Sequence, residues 1–297
     1  MKISLCIETY NEAANIHYAL DSAYNFVDEV VIVDGGSTDR TVEIAKSYGN
    51  KVKVIVTTNP PMFHINKQKA IVAARGEWIL QLDADEAITD ELKLEISSVV
   101  SQSQSPPQAG SVKSVKKTTD STDSTDSTNF VAFWLPRKNF FLNRFLMKGG
   151  QYPDYTIRLY KNGCARFPCK SVHENVEIIN PKSQTLNSKQ IQNSKFQIGY
   201  LKNPLLHYAD PNFSRYLMRW HRYNNLDAKQ LLVSSNQLSV IGKITQLLNY
   251  LIAKPFVTFF MMYFRHKGFM DGRAGFIFAF FSSIRFLFVY LEYLHKK

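Results

Sequence analysis

The chain has 297 residues, 45% hydrophobic and 13% aromatic, enough to bury one large core or one core with an appended subdomain. Its three cysteines, Cys6, Cys164 and Cys169, fall at no metal-ligand spacing, and Cys6 in an apolar run reads as a small buried thiol, which fits a reducing compartment. The net charge of +11 is concentrated: from residue 201 onward there are thirteen Lys and Arg against four Asp and Glu, a balance of +9. These cations are interleaved with Phe, Leu and Tyr runs and no groove-reading motif, so no nucleic acid is expected as partner and an anionic membrane surface is.

Met1-Lys2 leads directly into an apolar run, with no room for a charged leader, an apolar segment and a cleavage site, so no secretory signal is expected. The expected location is the cytosol or a cytosol-facing membrane, peripheral or monotopic on the cytoplasmic face of the inner membrane. The spacing then predicts strand 3–8, a helix from about 13 to 24, strand 29–34, helix 38–48, strand 52–56, helix 66–74 and strand 78–82. Strands alternating with helices indicate an α/β fold with a largely parallel sheet covered on both faces. In such sheets ligands sit beyond the carboxyl ends of the strands, where residues 9–12, 34–39 and 83–86 all fall.

The last of these, Asp83-Ala84-Asp85-Glu86, follows the apolar strand Trp78–Leu82. Read as a continuing strand, Asp83 and Asp85 share one face and offer two hard oxygen donors to a divalent cation that also grips a diphosphate. Read as a helix start, the same acids cap a helix beginning near Thr89. Ser37-Thr38-Asp39 has a similar double reading, and for Asp39 the capping role is preferred.

Residues 101 to about 128, with Ser-Gln-Ser-Gln-Ser-Pro-Pro and repeated Ser-Thr-Asp units, are expected to be a disordered surface insertion, and 181–195 a second polar excursion. Deleting 103–127 is therefore expected to leave folding and donor turnover nearly unchanged, because loop-closure entropy varies slowly with length. A large drop in melting temperature of the deletion variant would contradict this. Val131–Leu135 reads as a further strand, 216–232 as a basic and apolar helix. Two strongly apolar stretches follow, 247–264 and 276–294, close to the ~20 residues that cross a bilayer. Lys254-Pro255 interrupts the first and Arg285 sits inside the second, which favours helices on or in the membrane interface over a spanning hairpin or an oligomer contact.

Three ordered segments, Ser4-Leu5-Cys6-Ile7-Glu8-Thr9-Tyr10-Asn11-Glu12, Val31-Ile32-Val33-Asp34-Gly35-Gly36-Ser37-Thr38-Asp39 and Gly76-Glu77-Trp78 through Glu86, resemble family 2 glycosyltransferases of the GT-A fold. Lys148-Gly149-Gly150-Gln151-Tyr152-Pro153-Asp154, Arg158-Leu159-Tyr160 and Val172-His173-Glu174 are similar to the branch containing bacterial lipopolysaccharide-core glucosyltransferases. The resemblance implies a GT-A (Rossmann-like) nucleotide-sugar-binding domain over 1–200, with 201–297 a basic, apolar, membrane-associating helical extension. It implies an inverting transfer of a hexose, glucose first, from a UDP-sugar donor to a membrane-linked core saccharide, with Mn²⁺ or Mg²⁺. Transfer to polyprenyl phosphate or another glycolipid is the alternative, and a nucleotide-sugar binding protein whose catalysis has lapsed is a second. A nucleotidyltransferase would carry a Gly-rich triphosphate loop where Thr9–Glu12 stands.

Carried over onto this sequence, Thr9, Tyr10, Glu12 and Asp34 contact base and ribose, Asp83 sits near the ribose, and Asp85 ligates the metal with His173. Lys67 and Arg158 contact the diphosphate. Asp154 is the first candidate base for the acceptor hydroxyl and Glu174 the second. The family's usual second motif has Asp where this chain has Gly35, so one carboxylate that could read the base is missing.

Overall fold

β-branched strands and short helices in the first hundred residues build the expected parallel sheet. The structure, a computed structural model, describes residues 2–102, 130–169, 175–179, 197–235 and 239–297. The expected insertion, apart from residues 101 and 102, and the second polar excursion lie outside the described residues, as do His173 and Glu174. The chain forms two units, Met1–Pro136 with Tyr155–Leu205, and Arg137–Asp154 with Leu206–Lys297.

In the first unit β1 (Ile3–Thr9), β2 (Glu29–Asp34), β3 (Val52–Val56) and β4 (Trp78–Asp83) are parallel in the order β3-β2-β1-β4. The chain continues through β5 (Glu86–Ile88), β6 (Phe130–Phe141), β7 (Arg144–Phe145) and β8 (Asp154–Lys161), and β8 runs antiparallel against β4. The short pair β9 (Ala165–Arg166) and β10 (Glu177–Ile178) is separate, and β11 (Gln197–Tyr200) lies parallel to β6. Strands buried on both faces read as continuous apolar runs, and here alternate residues feed two cores. Leu5, Ile7, Ile32, Leu80 and Leu82 pack with α1 (Ile16–Ala23) and with Leu92 and Ile96 of α4 (Asp90–Gln102), whereas Cys6, Val31, Val33 and Ile79 pack with Ala70 and Ile71 of α3 (His64–Ala73). A further helix of this unit is α2 (Thr41–Ser47).

Helices α1 and α2 each begin three residues later than their spacing predicts. Side chains of the preceding loops take the backbone donors instead: Asn11 Oδ1 accepts from the Thr38 amide at 2.8 Å, and Asp39 from the amides of Ala13 and Thr41 at 3.1 and 3.0 Å. The helix expected near Thr89 is α4, but a short strand, β5, precedes it where the sequence offered either a continuing strand or a helix cap. Because β4 ends at Asp83 and Ala84-Asp85 form a turn before β5, strand alternation does not set the direction of Asp85.

In the second unit, β12 (Leu205–Asp210) leads into three long helices, α5 (Phe213–Ser235), α6 (Val240–Arg265) and α7 (Gly272–Lys296). α6 passes straight through Pro255, which the sequence reading took as an interruption. A π-helical turn at Asn249–Ala253 sits where the proline ring meets the preceding turn and absorbs its missing donor. A 3₁₀ turn, Gly268–Asp271, joins α6 to α7, and the approach is so close that a Cβ on Gly275 would lie 2.0 Å from the Gly268 carbonyl oxygen. Asp271, 2% exposed, accepts from the amides of Met147 and Lys148 at 3.0 and 2.7 Å and ties the loop after β7 to this turn.

Candidate active site

The strand order reverses between β1 and β4: the chain winds outward from β1 to β3 and then returns to β4 on β1's other side. Such a switch point opens a crevice at the carboxyl ends of the two strands. Glu8 and Asp83, register partners across β1 and β4, flank it.

The loops after β1 and β2 form one hydrogen-bonded unit at this edge. Asp34 is fully buried and accepts four bonds: Thr9 Oγ1 at 3.0 Å, the amides of Gly36 and Ser37 at 3.0 and 2.8 Å, and Ser37 Oγ at 2.5 Å. All its acceptor capacity is thus spent on shaping the loop. Thr9 is itself buried, Tyr10 is exposed, and the Glu12 amide donates to Thr41 Oγ1 at 2.8 Å. Gly35, in place of the expected carboxylate, has a physical reason to be small. A Cβ there would stand 3.1 Å from Cβ of Asn59 and 3.4 Å from the Tyr10 ring.

Asp83 is the centre of a buried charge cluster. Lys67 Nζ, from α3, meets its Oδ1 at 2.5 Å, and Arg158, from β8, meets its Oδ2 at 2.5 Å. The same guanidinium donates to Glu86 Oε1 at 2.8 Å and Gln81 Oε1 at 3.0 Å, while Glu86 Oε2 accepts the Asp83 amide. Lys67, Arg158 and Glu86 are 6%, 7% and 0% exposed, so these charges rely on one another and not on water. Both cations that the sequence assigned to a diphosphate are engaged with carboxylates.

Glu8 joins this cluster and was missed in the sequence, where it is one polar residue in an apolar strand. Burial pushes its carboxyl up to about 7, Lys67 opposing this and Asp83, Glu12 and Asp34 adding to it. The unfolded chain releases this proton near pH 4.5, so between about pH 4.5 and 7 folding takes up a proton and stability falls as pH rises. Glu8→Gln, which mimics the protonated form, is therefore expected to match the parent at pH 5 and exceed it by about 1–3 kcal/mol at pH 8. Urea unfolding at the two pH values checks this; an equal difference at both would contradict it.

A family 2 enzyme implies a divalent metal, and the donor set allows a test of fit. Among the described residues no three His, Cys, Asp or Glu side chains converge on a metal-sized position. Asp83 fits poorly as a ligand, since a cation already faces each of its oxygens. Asp85 fits: it is a partly exposed carboxylate in the turn beyond β4. Mg²⁺ or Mn²⁺ shared with a diphosphate needs only one or two protein carboxylates, and Asp85 meets that need.

Asp154 belongs to the second unit and begins β8. Its Oδ2 accepts from Arg137 Nε and Nη2 at 3.0 and 2.7 Å and from Asn139 Nδ2 at 3.1 Å. Since Asn139 donates from its amide nitrogen to the carboxylate, its Oδ1 faces His207 Nδ1 at 2.7 Å and accepts a hydrogen bond from that N–H. Burial opposes charge on Asp154, but the Arg137 guanidinium, the Asn139 amide and His207 outweigh it and hold the carboxyl below its ordinary value. Arg137 and Asn139 gave no sequence signal, because they are ordinary polar residues on a strand until β8 is brought alongside.

Residues 4–165 match the sequence model described as Glycosyl transferase family 2. An uncharacterized glycosyltransferase of Rickettsia bellii is 44% identical over 105 residues, which is 35% of this chain and 34% of that protein. The dolichyl-phosphate beta-glucosyltransferase ALG5A of Trichomonas vaginalis is 34% identical over 100 residues, 29% of this chain and 31% of that one. The matches thus span about a third of each relative's length. Among solved structures, S. aureus TarS 1-349 in complex with UDP aligns with 99% of this chain and 88% of its own, at 17% identity and a TM-score of 0.43. With the family's sequence pattern running through more than half of the residues, over a Rossmann-like sheet whose switch point carries Asp34, Asp83 and Asp85, the chain belongs to glycosyl transferase family 2, of the GT-A fold.

Proposed function

We propose that the chain transfers a hexose, glucose in the first reading, from a UDP-sugar to the core saccharide of a lipopolysaccharide or lipooligosaccharide, with inversion at the anomeric carbon. Residues 1–200 are the catalytic part and 201–297 a membrane-associating extension at the cytoplasmic face of the inner membrane. The observation that supports nucleotide-sugar chemistry most directly is the Asp83–Lys67–Arg158–Glu86 cluster at the switch point, with Asp85 in the turn just beyond.

In this reading the Thr9–Glu12 and Asp34–Ser37 loops frame the base and ribose, and Asp83, held rigid by its two cations, faces the ribose. Asp85, with His173, holds the divalent metal, which supplies Lewis-acid neutralisation of the charge that develops on the departing diphosphate. Lys67 and Arg158, balanced by Asp83 and Glu86, fix Asp83 and contact the diphosphate while still paired to that carboxylate. The acceptor oxygen bonds to C1, the C1–O bond to the diphosphate breaks, and the hydroxyl proton passes to Asp154. Arg137 keeps that carboxylate ionised at neutral pH, as an acceptor of protons must be, and Glu174 is the alternative base.

Acceptor-stimulated nucleotide release from a panel of UDP-, GDP- and dTDP-sugars, with Mn²⁺ or Mg²⁺ and delipidated core saccharide, tests this. Asp154→Asn is expected to lower that release about 10²–10⁴-fold while metal-dependent nucleotide binding persists. Full activity in this variant, with loss in Glu174→Gln, would move the base to Glu174. Metal-dependent nucleotide binding without turnover on any donor would instead support the lapsed-enzyme reading.

A second acceptor class, polyprenyl phosphate, draws support from the likeness to a dolichyl-phosphate beta-glucosyltransferase. Sugar transfer to polyprenyl phosphate but not to core saccharide would replace the first reading with it.

A further inference from the structure

Both C-terminal helices are long and apolar enough to cross a bilayer by length and composition. What packs along them decides otherwise. α5 runs beside α7 for most of its length, in the same direction: the Tyr216 ring meets Phe278 tilted and Phe281 edge-on, Trp220 Nε1 donates to the Phe281 carbonyl at 3.0 Å, and Ala228 and Leu231 pack with Val289, Tyr290 and Tyr293. Between these contacts Asp227 pairs with Arg285, the charge inside the second apolar stretch. α5 exposes His221, Arg222, Lys229 and Gln230 on its outer side. A bilayer-spanning α7 would carry that polar helix and its ion pair to the hydrocarbon centre, where charged side chains are among the costliest groups to place.

The opposite side of this helical layer is apolar and bare. None of the most apolar stretch of α6 is buried, and Ile241, Ile244, Leu248, Ile252, Phe256 and Phe260 follow one another at helical spacing, all more than half exposed or at that limit. Phe276 and Phe280 of α7 are exposed as well, whereas Phe288 lies against Trp220 of α5. An apolar strip of this length does not persist in water. Its borders are cationic: Lys243, Arg265, Lys267 and Arg273 are exposed and have no carboxylate partner among the described residues, whereas Asp210, Asp227, Asp271 and Glu292 are each engaged by an arginine or lysine. A second copy seated on the strip would bring like charges together at both borders, while phosphate headgroups complement them.

We propose that α5, α6 and α7 form an in-plane platform for an anionic bilayer: α6 and the bare side of α7 sink among the acyl chains, α5 stays at the aqueous surface, and neither apolar helix crosses. This deepens the membrane-association reading above and rests on it for the choice of partner, but not on any choice of sugar or acceptor.

The test is cysteine accessibility of the full-length chain in a bacterial host, with the three native cysteines replaced by alanine. Lys243→Cys and Arg265→Cys lie at the two ends of α6, about 33 Å apart at 1.5 Å per residue, slightly more than the ~30 Å hydrocarbon core. Ile252→Cys lies between them on the bare side. In plane, a membrane-impermeant maleimide leaves both end positions unlabelled in intact spheroplasts and labels both in inverted membrane vesicles, and Ile252→Cys reacts only after detergent. Ile252→Glu combined with Phe256→Glu is expected to lower the membrane-bound fraction at least tenfold without changing nucleotide binding. Labelling of one α6 end from outside the spheroplast shows a span and overturns the proposal while leaving membrane association intact. Fully soluble protein after lysis overturns both, and nucleotide release from the same preparation reports separately on glycosyl transfer.

Discussion

Asp85→Asn is expected to reduce metal-dependent donor turnover about 10²–10³-fold, equivalent to about 3–4 kcal/mol of transition-state stabilisation. The physical reason is that Lys67 and Arg158 face both oxygens of Asp83, whereas Asp85, the proposed metal ligand, is a partly exposed carboxylate in the turn beyond β4, and one or two protein carboxylates suffice for Mg²⁺ or Mn²⁺ shared with a diphosphate. Because Asp85 sits partly exposed in a turn and not in the core, the same substitution is expected to shift stability by less than about 1 kcal/mol. Nucleotide release as a function of Mn²⁺ concentration, with a melting curve on the same sample, separates the two effects. Retained turnover in a folded Asp85→Asn variant would remove Asp85 from the metal site and, with it, the main support for the proposed chemistry.

The second large effect is on folding. Arg158→Met is expected to destabilise the chain by about 3–5 kcal/mol, because it leaves the buried Glu86 and the partly buried Asp83 charged with only Lys67 to balance them. For a unit of this size that corresponds to a drop in melting temperature of roughly 10 °C. Adding Glu86→Gln to this variant removes one of the stranded charges and should recover part of the loss, so a double-mutant cycle gives a coupling well above 0.5 kcal/mol. Strict additivity of the two substitutions would mean that the cluster is not an energetic unit. Since Arg158 is held by these carboxylates, a diphosphate contact would have to be made without releasing it, and Arg158→Lys tests that separately: one ammonium nitrogen cannot span the positions that the two guanidinium nitrogens reach at Gln81, Asp83 and Glu86.

The parallel sheet, its ligand edge and the helical character of the C-terminal third were all legible in the sequence. Each follows from local regularities: apolar runs bounded by turn residues for β1 to β4, and apolar spacing long enough to need a helix in α6 and α7. The placement of Asp34 and Asp83 at the ends of β2 and β4 was legible for the same reason, since a carboxylate closing an apolar strand stands out against its neighbours. What tertiary structure alone decided is which partner each charge has. Lys67 and Asp83 are sixteen residues apart, and Arg158 lies seventy-five residues from Asp83; only the packing of α3 and β8 against β4 joins them. Glu8, Glu86, Arg137 and Asn139 went unread because a buried polar residue is indistinguishable in sequence from a surface one until its cover is known. The same holds for the apolar helices. Their length and composition allow a span, Lys254-Pro255 and Arg285 already argued for the interface in the sequence, and only the fold shows that Arg285 has Asp227 of α5 as its partner. Composition determines that a face will avoid water; neighbours at long sequence separation determine which face it is and how deep it can go.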